Sequence, residues 1–199
     1  GSDPRWLNQT QQHLRRFMTL GMTVVRWFIL GDGLTYGAGS DAPRFDRNAA
    51  GGAQWRFDPP ALSSDFVTHF DLLLESFAQV NVRAPKPIQL IPVFVDFKFC
   101  EPGSPIGVAT QASSESNYEW IKGGRADVIS DATKRNTFLK EVLQPLLQQS
   151  SAHADVIYAW EIINEPEWVT NGWHPYRAAD LPITADAMRS FVESATMLI

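Results

Sequence analysis

The sequence predicts an α/β fold built around a parallel sheet. Along its 199 residues, three strand-like segments alternate with four helix-like segments. The strand segments are apolar on both faces, which is typical of a parallel sheet packed between helices. The strand-to-helix connections, about residues 31–63, 97–130 and 164–183, are far longer than the helix-to-strand connections. Loops of that length are usually functional, so we expect a site at the carboxyl ends of the strands.

The first two helices are predicted from apolar residues at helical spacing. The first covers about residues 4–20, with Asp3 as its cap, Pro4 in its first turn and Gly21 at a left-handed exit. The second covers about residues 64–80, where large apolar side chains recur on one helical face. Each helix is therefore expected to pack one face against the sheet.

The last two helices are predicted from their caps. Asp131 precedes the third helix, and Thr184 precedes the fourth. Pro145 lies inside the third helix and is expected to kink it, because an interior proline removes a hydrogen bond from the helical ladder.

The three strands are predicted over about residues 23–30, 88–96 and 156–163. Arg26 is the charged exception in the first of them. A cation inside an apolar strand requires an anionic partner, because an unpaired buried charge is costly. We therefore expect Arg26 to form an ion pair, whether for structure or for the site.

Charge and hydropathy exclude two classes of partner. The formal net charge is −5, and no basic run exceeds two residues, which argues against nucleic acid. No apolar run approaches the roughly 20 residues that a membrane-spanning helix needs. The composition is compatible with a neutral substrate.

The glycine and cysteine patterns exclude two further arrangements. Gly31-Asp32-Gly33 follows the first strand, but no helix pattern opens directly after it, so a dinucleotide-binding turn is disfavoured. One cysteine, Cys100, rules out an internal disulfide framework. Gly1-Ser2 resembles a remnant of expression cloning, so a signal peptide could have been removed; localisation stays open, with a secreted or periplasmic location favoured.

The sharpest local motif is Trp-Glu-Ile-Ile-Asn-Glu-Pro-Glu-Trp at residues 160–168. Glu165 ends a strand beside aromatic residues, where shielding would raise its pKa and suit it to general acid catalysis. Asn164 both donates and accepts hydrogen bonds, so it is suited to a sugar hydroxyl. The alternative is that Asn-Glu-Pro is simply a turn after a core strand.

This motif resembles the fourth strand of clan A glycoside hydrolases, especially the family-five cellulase and mannanase group. Residues 24–28, Val-Val-Arg-Trp-Phe, look like the second strand of that family, in which an arginine points inward. Residues 90–97 are similar to its third strand. The family often has a histidine near the end of that strand, where this chain has Lys98 between two phenylalanines.

The resemblance implies a (β/α)8 TIM barrel that is present only in part, as strands two to four with their flanking helices. Residues 1–199 would form a single catalytic domain that is incomplete at both ends. The implied activity is that of a glycosidase, a hydrolase that cleaves β-glucan or β-mannan by a retaining two-carboxylate mechanism.

The family's roles carry over by position. Glu165 is implied to be the acid/base, Asn164 to bind the 2-hydroxyl beside the cleaved bond, and Arg26 to orient the nucleophile. A structural ion pair is the other expectation for Arg26. The nucleophile is implied to lie on a seventh strand, which this chain is not expected to contain. Glu161 is unsuitable, because strand rise places it roughly 13 Å from Glu165.

Further residues are candidates for substrate binding. Trp168 and Trp173 lie where they would offer flat faces to sugar rings. Asp32 and Asp96 end their strands and are candidates for hydroxyl binding, with a capped turn as the alternative for each. His174 is the one histidine near the predicted site. The histidines lack the spacing of metal ligands, so neither a metal nor a cofactor is expected.

Two other functions remain open at this point. A carbohydrate-binding barrel that has lost catalysis would keep the tryptophans and Asn164 without the second carboxylate. An inactive barrel fragment would expose sheet edges and apolar helix faces, and we would expect it to self-associate.

Overall fold

A computed structural model describes residues 4–31, 45–46, 54–55, 62, 64–101, 124–173 and 181–199. Its main sheet has three parallel strands, β1 (Val24–Leu30), β4 (Gln89–Asp96) and β5 (Glu161–Asn164), in the order β1-β4-β5. A separate antiparallel pair is formed by β2 (Phe45–Asp46) and β3 (Gln54–Trp55).

The prediction of a TIM barrel, complete or partial, is wrong for this structure. A barrel closes only when every strand pairs on both sides. In the described part of the chain, β4 alone has two neighbours in the main sheet, so β1 and β5 are its edges. The fold is a mixed α/β arrangement on a small open sheet. The prediction of parallel strands separated by helices is confirmed.

Seven α-helices accompany the sheet in the described ranges. They are α1 (Pro4–Thr19), α2 (Ser64–Asn81), α3 (Phe97–Cys100), α4 (Asp127–Ser130), α5 (Ala132–Phe138), α6 (Gln144–Ser151) and α7 (Ala185–Thr196). The short helices α3 and α4 lie within a connection for which the sequence predicted only a loop. None of the described helices is long and apolar enough to cross a membrane.

The predicted helix ends are confirmed wherever the structure describes them. The Asp131 carboxylate accepts hydrogen bonds from the backbone N–H groups of Thr133 and Lys134, at 2.8 and 2.9 Å. The Thr184 hydroxyl accepts one from the N–H of Ala187 at 3.2 Å. Gly21, just after α1, has φ +83°, a left-handed conformation that glycine adopts without strain. The predicted cap Asp3 lies outside the described residues.

Near Pro145, where a kink was expected, the helical segment contains a π-helical turn. Residues Leu139–Leu143 form this turn between α5 and α6, and Pro145 lies in the first turn of α6. Proline has no N–H to donate to a carbonyl four residues earlier. The wider turn directly before it accommodates that missing bond, and the residues on either side of the turn, Phe138 and Gln144, keep helical backbone angles.

One hydrophobic core holds the helices against the sheet. The buried Phe138 ring stacks on Phe94 from β4 and on Phe99 from α3, each at a centroid distance of 5.5 Å. The start of β4 is fixed by Asn81, whose side chain donates to the Ile88 carbonyl at 2.9 Å and accepts from its N–H at 2.8 Å. These contacts anchor both ends of the central strand.

The third strand is shorter than predicted because its pairing is interrupted. Leu90 is paired with Ile157, but the next pair along the sheet is Val93 with Glu161. Between these pairs, two residues of β4 therefore face three residues of the other chain segment, which is the signature of a β-bulge. Since side chains alternate along a strand, the extra residue places Glu161 on the opposite face from Ile157.

Candidate functional site

The carboxyl ends of β4 and β5 bring the predicted site residues together. Asp96 and Asn164 are direct partners in the parallel ladder, and Glu165 follows Asn164. Leu30, at the end of β1, pairs with Val95, one residue earlier on β4. The three strands therefore end at one edge of the sheet, as the strand-to-helix loops predicted.

Arg26 forms an ion pair across this sheet with Glu161. Its Nε donates to Glu161 Oε2 at 2.7 Å, and its Nη2 donates to Oε1. Arg26 pairs with Ile91 and Glu161 with Val93 on either side of β4, so both side chains lie on the same face. The side chains are 42% and 29% exposed, which makes the pair partly solvated, not buried as expected.

The same guanidinium reaches Asn164, the predicted substrate-binding residue next to Glu165. Arg26 Nη2 donates to Asn164 Oδ1 at 2.6 Å. Asn164 Nδ2 in turn donates to Asp96 Oδ1 at 2.8 Å. A continuous chain of hydrogen bonds thus runs from Glu161 through Arg26 and Asn164 to Asp96, and it joins all three strands.

The direction of these hydrogen bonds is fixed by chemistry. A guanidinium has only donors, so the atom of Asn164 that faces Arg26 must be its carbonyl oxygen. The amide nitrogen then faces Asp96, which accepts through a carboxylate oxygen. Two neighbours on different strands therefore determine the orientation of the Asn164 amide.

Charge and burial shift the pKa values of two residues in this hydrogen-bond chain, Arg26 and Asp96. The hydrogen bond and charge of Glu161 raise the pKa of Arg26, and the charges of Glu165 and Asp96 add to that effect. Burial raises the pKa of Asp96, while its hydrogen bond from Asn164, the backbone N–H groups of Phe97 and Lys98, and the Lys98 charge partly oppose the rise. Arg26 accordingly stays a cation. Asp96 keeps its proton to a higher pH than an exposed aspartate does.

Glu165 lies exposed at the sheet edge in an uncommon backbone conformation. Its φ is 46° and its ψ 52°, a left-handed geometry that costs energy for a residue with a Cβ. A short 3₁₀ turn, Pro166–Trp168, begins directly after it. Such strain persists only where neighbouring structure enforces it, and it recurs at functional sites. The aromatic shielding expected from the sequence does not bury this carboxylate, since Glu165 is an exposed residue.

The two predicted aromatic platforms differ in their surroundings. Trp168 is half-buried and stacks on Phe97, with ring centroids 5.9 Å apart and planes inclined by 26°. Trp173 is 39% exposed. Nζ of Lys98, the residue at the position where the resemblance would place a histidine, lies 4.7 Å from the centroid of the Phe97 ring and forms an ion pair with the buried Glu101 at 2.8 Å.

Two candidates, Asp32 and His174, lie outside the described residues. Within the ranges that the structure does describe, no group of three His, Cys, Asp or Glu side chains is arranged to hold a metal ion. Cys100 is fully buried, and burial raises the pKa of its thiol. It belongs to the core beneath the site.

The sequence did not predict the roles of two residues at this site, Glu161 and Phe97. Glu161 was judged too far from Glu165 to be the nucleophile, yet it is the partner of Arg26; the extra residue that turns it to that face leaves no signal in the sequence. Phe97 was considered only as the last residue of a strand motif, yet its ring stacks on that of Trp168. Its position directly after a strand-ending aspartate was the available clue.

The described site combines an exposed carboxylate with an oriented amide and stacked aromatic rings. An exposed carboxylate can exchange a proton with a ligand, and an oriented amide can bind a hydroxyl. Comparison of the chain with protein-family models, curated proteins and solved structures found no match.

Proposed function

We propose that this chain is a glycoside hydrolase that cleaves β-linked glycans of the β-glucan or β-mannan type with retention. Glu165 first donates a proton to the glycosidic oxygen while a second carboxylate displaces the leaving group and forms a glycosyl ester. Glu165, now a carboxylate, then removes a proton from the water that attacks this ester and releases both the sugar and the nucleophile. The observation that carries the proposal is the exposed Glu165 carboxylate directly beside Asn164, whose amide is oriented by Arg26 and Asp96.

The surroundings of Glu165 support this assignment. The site lies at the carboxyl ends of parallel strands, where open α/β sheets usually bind their ligands. The rings of Trp168 and Phe97 lie at the same edge and suit the apolar face of a sugar. The net charge of −5 is compatible with a neutral glycan.

A retaining mechanism also needs a carboxylate nucleophile about 5–5.5 Å from the acid/base. Asp96 accepts a hydrogen bond from Asn164, and Glu161 accepts two from Arg26, so both carboxylates already have roles in the hydrogen-bond chain. We therefore assign Glu165 as the acid/base, and the nucleophile is to be identified by chemical trapping. An activated 2-deoxy-2-fluoroglycoside followed by peptide mapping would identify it.

The acid/base role is tested with Glu165→Ala and two kinds of β-glucoside and β-mannoside, one with an activated aryl leaving group and one with an alkyl leaving group. A leaving group that needs no protonation should retain its glycosylation rate, whereas an alkyl leaving group should lose roughly 100-fold or more. Added azide should restore turnover of the activated substrate and give the β-glycosyl azide, because a small nucleophile replaces the water that needed a base. Glu167→Ala is the matched control. Absence of hydrolysis by the wild-type protein, or equal loss with both leaving groups, contradicts the assignment.

Carbohydrate binding without catalysis is the second candidate. The hydrogen bonds that Asp96 and Glu161 accept within the site favour it, because catalysis would need one of them, or another carboxylate, as the nucleophile. Titration calorimetry with cellohexaose and mannohexaose separates the two functions. Binding by a wild-type protein that releases no reducing ends would identify a binding module.

A further inference from the structure

The feature that remains unexplained by hydrolysis alone is the hydrogen bond between Asp96 and Asn164. Asp96 ends β4, and Asn164 is its ladder partner on β5. An aspartate at this position would be expected to bind a substrate hydroxyl directly, yet its Oδ1 atom accepts from Asn164 Nδ2 at 2.8 Å. One oxygen of the Asp96 carboxylate is therefore already hydrogen-bonded to the protein, without any ligand.

The other neighbour of Asn164 cannot fix the amide by itself. Arg26 Nη2 donates to Oδ1 at 2.6 Å, and this bond constrains one atom. Rotation about the Cβ–Cγ bond moves Oδ1 and Nδ2 together, so Arg26 opposes it only as firmly as its own side chain, which is 42% exposed, is held. The second bond, to Asp96, removes that rotation because it ties the other end of the same planar group to a different strand.

We propose that Asp96 is a positioning residue that acts through Asn164: it holds the Asn164 amide in one orientation, so that the remaining N–H and the remaining oxygen lone pair face a bound sugar in fixed directions. The inference deepens the proposed function and rests on it for the identity of the ligand. The orientation of the amide is a property of the protein alone and can be measured without any ligand.

The charged groups that face Asp96 come from three elements. Lys98 lies in α3, Arg26 in β1, and Glu165 follows β5; the Lys98 charge acts on Asp96, and both Asp96 and Glu165 act on Arg26. Because Arg26 remains a cation, the amide oxygen stays directed toward it when Asp96 is protonated. Protonation of Asp96 therefore weakens the anchor of the amide nitrogen without reversing the amide.

The test combines a spectroscopic readout with kinetics. In protein labelled with ¹⁵N at asparagine side chains, the Asn164 NH₂ signals are assigned by their loss in Asn164→Ala. We expect these signals to be shifted from those of Asn8, an exposed residue on α1, and to move with pH as Asp96 ionises. In Asp96→Ala they should approach the Asn8 values. Asp96→Asn keeps an acceptor, so the signals should stay shifted but lose their pH dependence.

The kinetic arm uses cellohexaose and mannohexaose as probes. Asp96→Ala should lower kcat/KM by about tenfold to a hundredfold, the loss expected for one hydrogen bond to a charged group, and Asp96→Asn should recover part of that loss. Thermal unfolding of each variant confirms that the protein is folded.

The outcomes separate the inference from the proposed function. Asn164 signals that are unchanged in Asp96→Ala overturn the inference, whatever the activity. Shifted signals with unchanged kinetics overturn the positioning role. The expected signals in a wild-type protein that hydrolyses neither probe support the orientation of the amide by Asp96 and reject the hydrolase.

Discussion

Arg26 and Asn164 are separated by 138 positions in the chain, yet a hydrogen bond of 2.6 Å joins Nη2 of the first to Oδ1 of the second. The bond crosses the central strand β4 and connects the two edge strands of the sheet. It places a permanent cation beside the residue that precedes Glu165. The most distinctive motif of the sequence is therefore held in place from a strand far away in the chain.

The ion pair of Arg26 should contribute to stability, but modestly. Glu161→Ala removes the anion and leaves the guanidinium bonded to Asn164 alone among its described acceptors. Since both side chains are partly exposed, we expect a loss of about 1 kcal/mol in the free energy of unfolding. Urea denaturation measures this loss, and Glu193→Ala, an exposed glutamate on α7, is the control. An equal effect of the two substitutions would contradict a stabilising ion pair.

The ionisation of Asp96 should make stability depend on pH. Burial raises the pKa of Asp96, so the folded state binds this proton more tightly than the unfolded state does. The contribution of Asp96 to the free energy of unfolding is then largest at low pH and falls as pH rises from the unfolded pKa, about 3.9, through the folded one.

Comparison with Asp96→Asn isolates this effect, because the variant has no carboxyl group at that position. The stability of the wild type minus that of the variant should decrease as pH rises above about 4 and become constant once pH exceeds the folded-state pKa of Asp96. Urea denaturation at several pH values measures the difference. A difference that increases with pH would show that the folded-state pKa of Asp96 is lowered.

The two tryptophans at the site should respond differently to substitution. Trp168→Ala removes a half-buried ring and its stack on Phe97, so it should lower the free energy of unfolding by about 1–3 kcal/mol. Trp173→Ala removes an exposed ring and should leave stability nearly unchanged. If Trp173 forms a sugar platform, its loss should weaken hexasaccharide binding roughly two- to tenfold in calorimetry. Unchanged affinity would exclude Trp173 from the binding surface.

Cys100 should be inert in the folded protein. It is fully buried, and burial raises the pKa of its thiol, so both access and thiolate content are low. Iodoacetamide at pH 8 should modify it only after unfolding in guanidinium chloride, as measured by intact mass. Rapid modification of the native protein would show that the core around α3 opens readily.

The cap at Asp131 should be worth about 1 kcal/mol to the helix that begins at Ala132, because its carboxylate accepts from two N–H groups of the first turn. Asp131→Ala should therefore lower Tm by about 2–4 °C, the shift expected for a protein of this size. Asp155→Ala, at an exposed turn position, is the matched control. Equal Tm values for the two variants would show that the cap contributes nothing measurable.

The sequence by itself determined the local elements of this protein. Apolar periodicity located the four longer helical segments and two of the strands, and short-range chemistry located the left-handed Gly21, the caps Asp131 and Thr184, and the irregular turn before Pro145. These features depend on residues only a few positions apart, so the amino-acid sequence alone is sufficient to predict them. The convergence of Asp96 and Asn164 also followed, because parallel strands end at a common edge.

The tertiary structure alone decided which side chains meet and how the sheet is bounded. A barrel was expected from a resemblance of strand motifs, yet closure depends on pairing between distant segments, and the described strands form an open sheet of three. The extra residue before β5 sets the face on which Glu161 lies, and therefore its pairing with Arg26. A shift of one residue reverses every side chain of a strand, and nothing in the apolar pattern of residues 156–163 marks the extra residue, so pairing across the sheet decides its position.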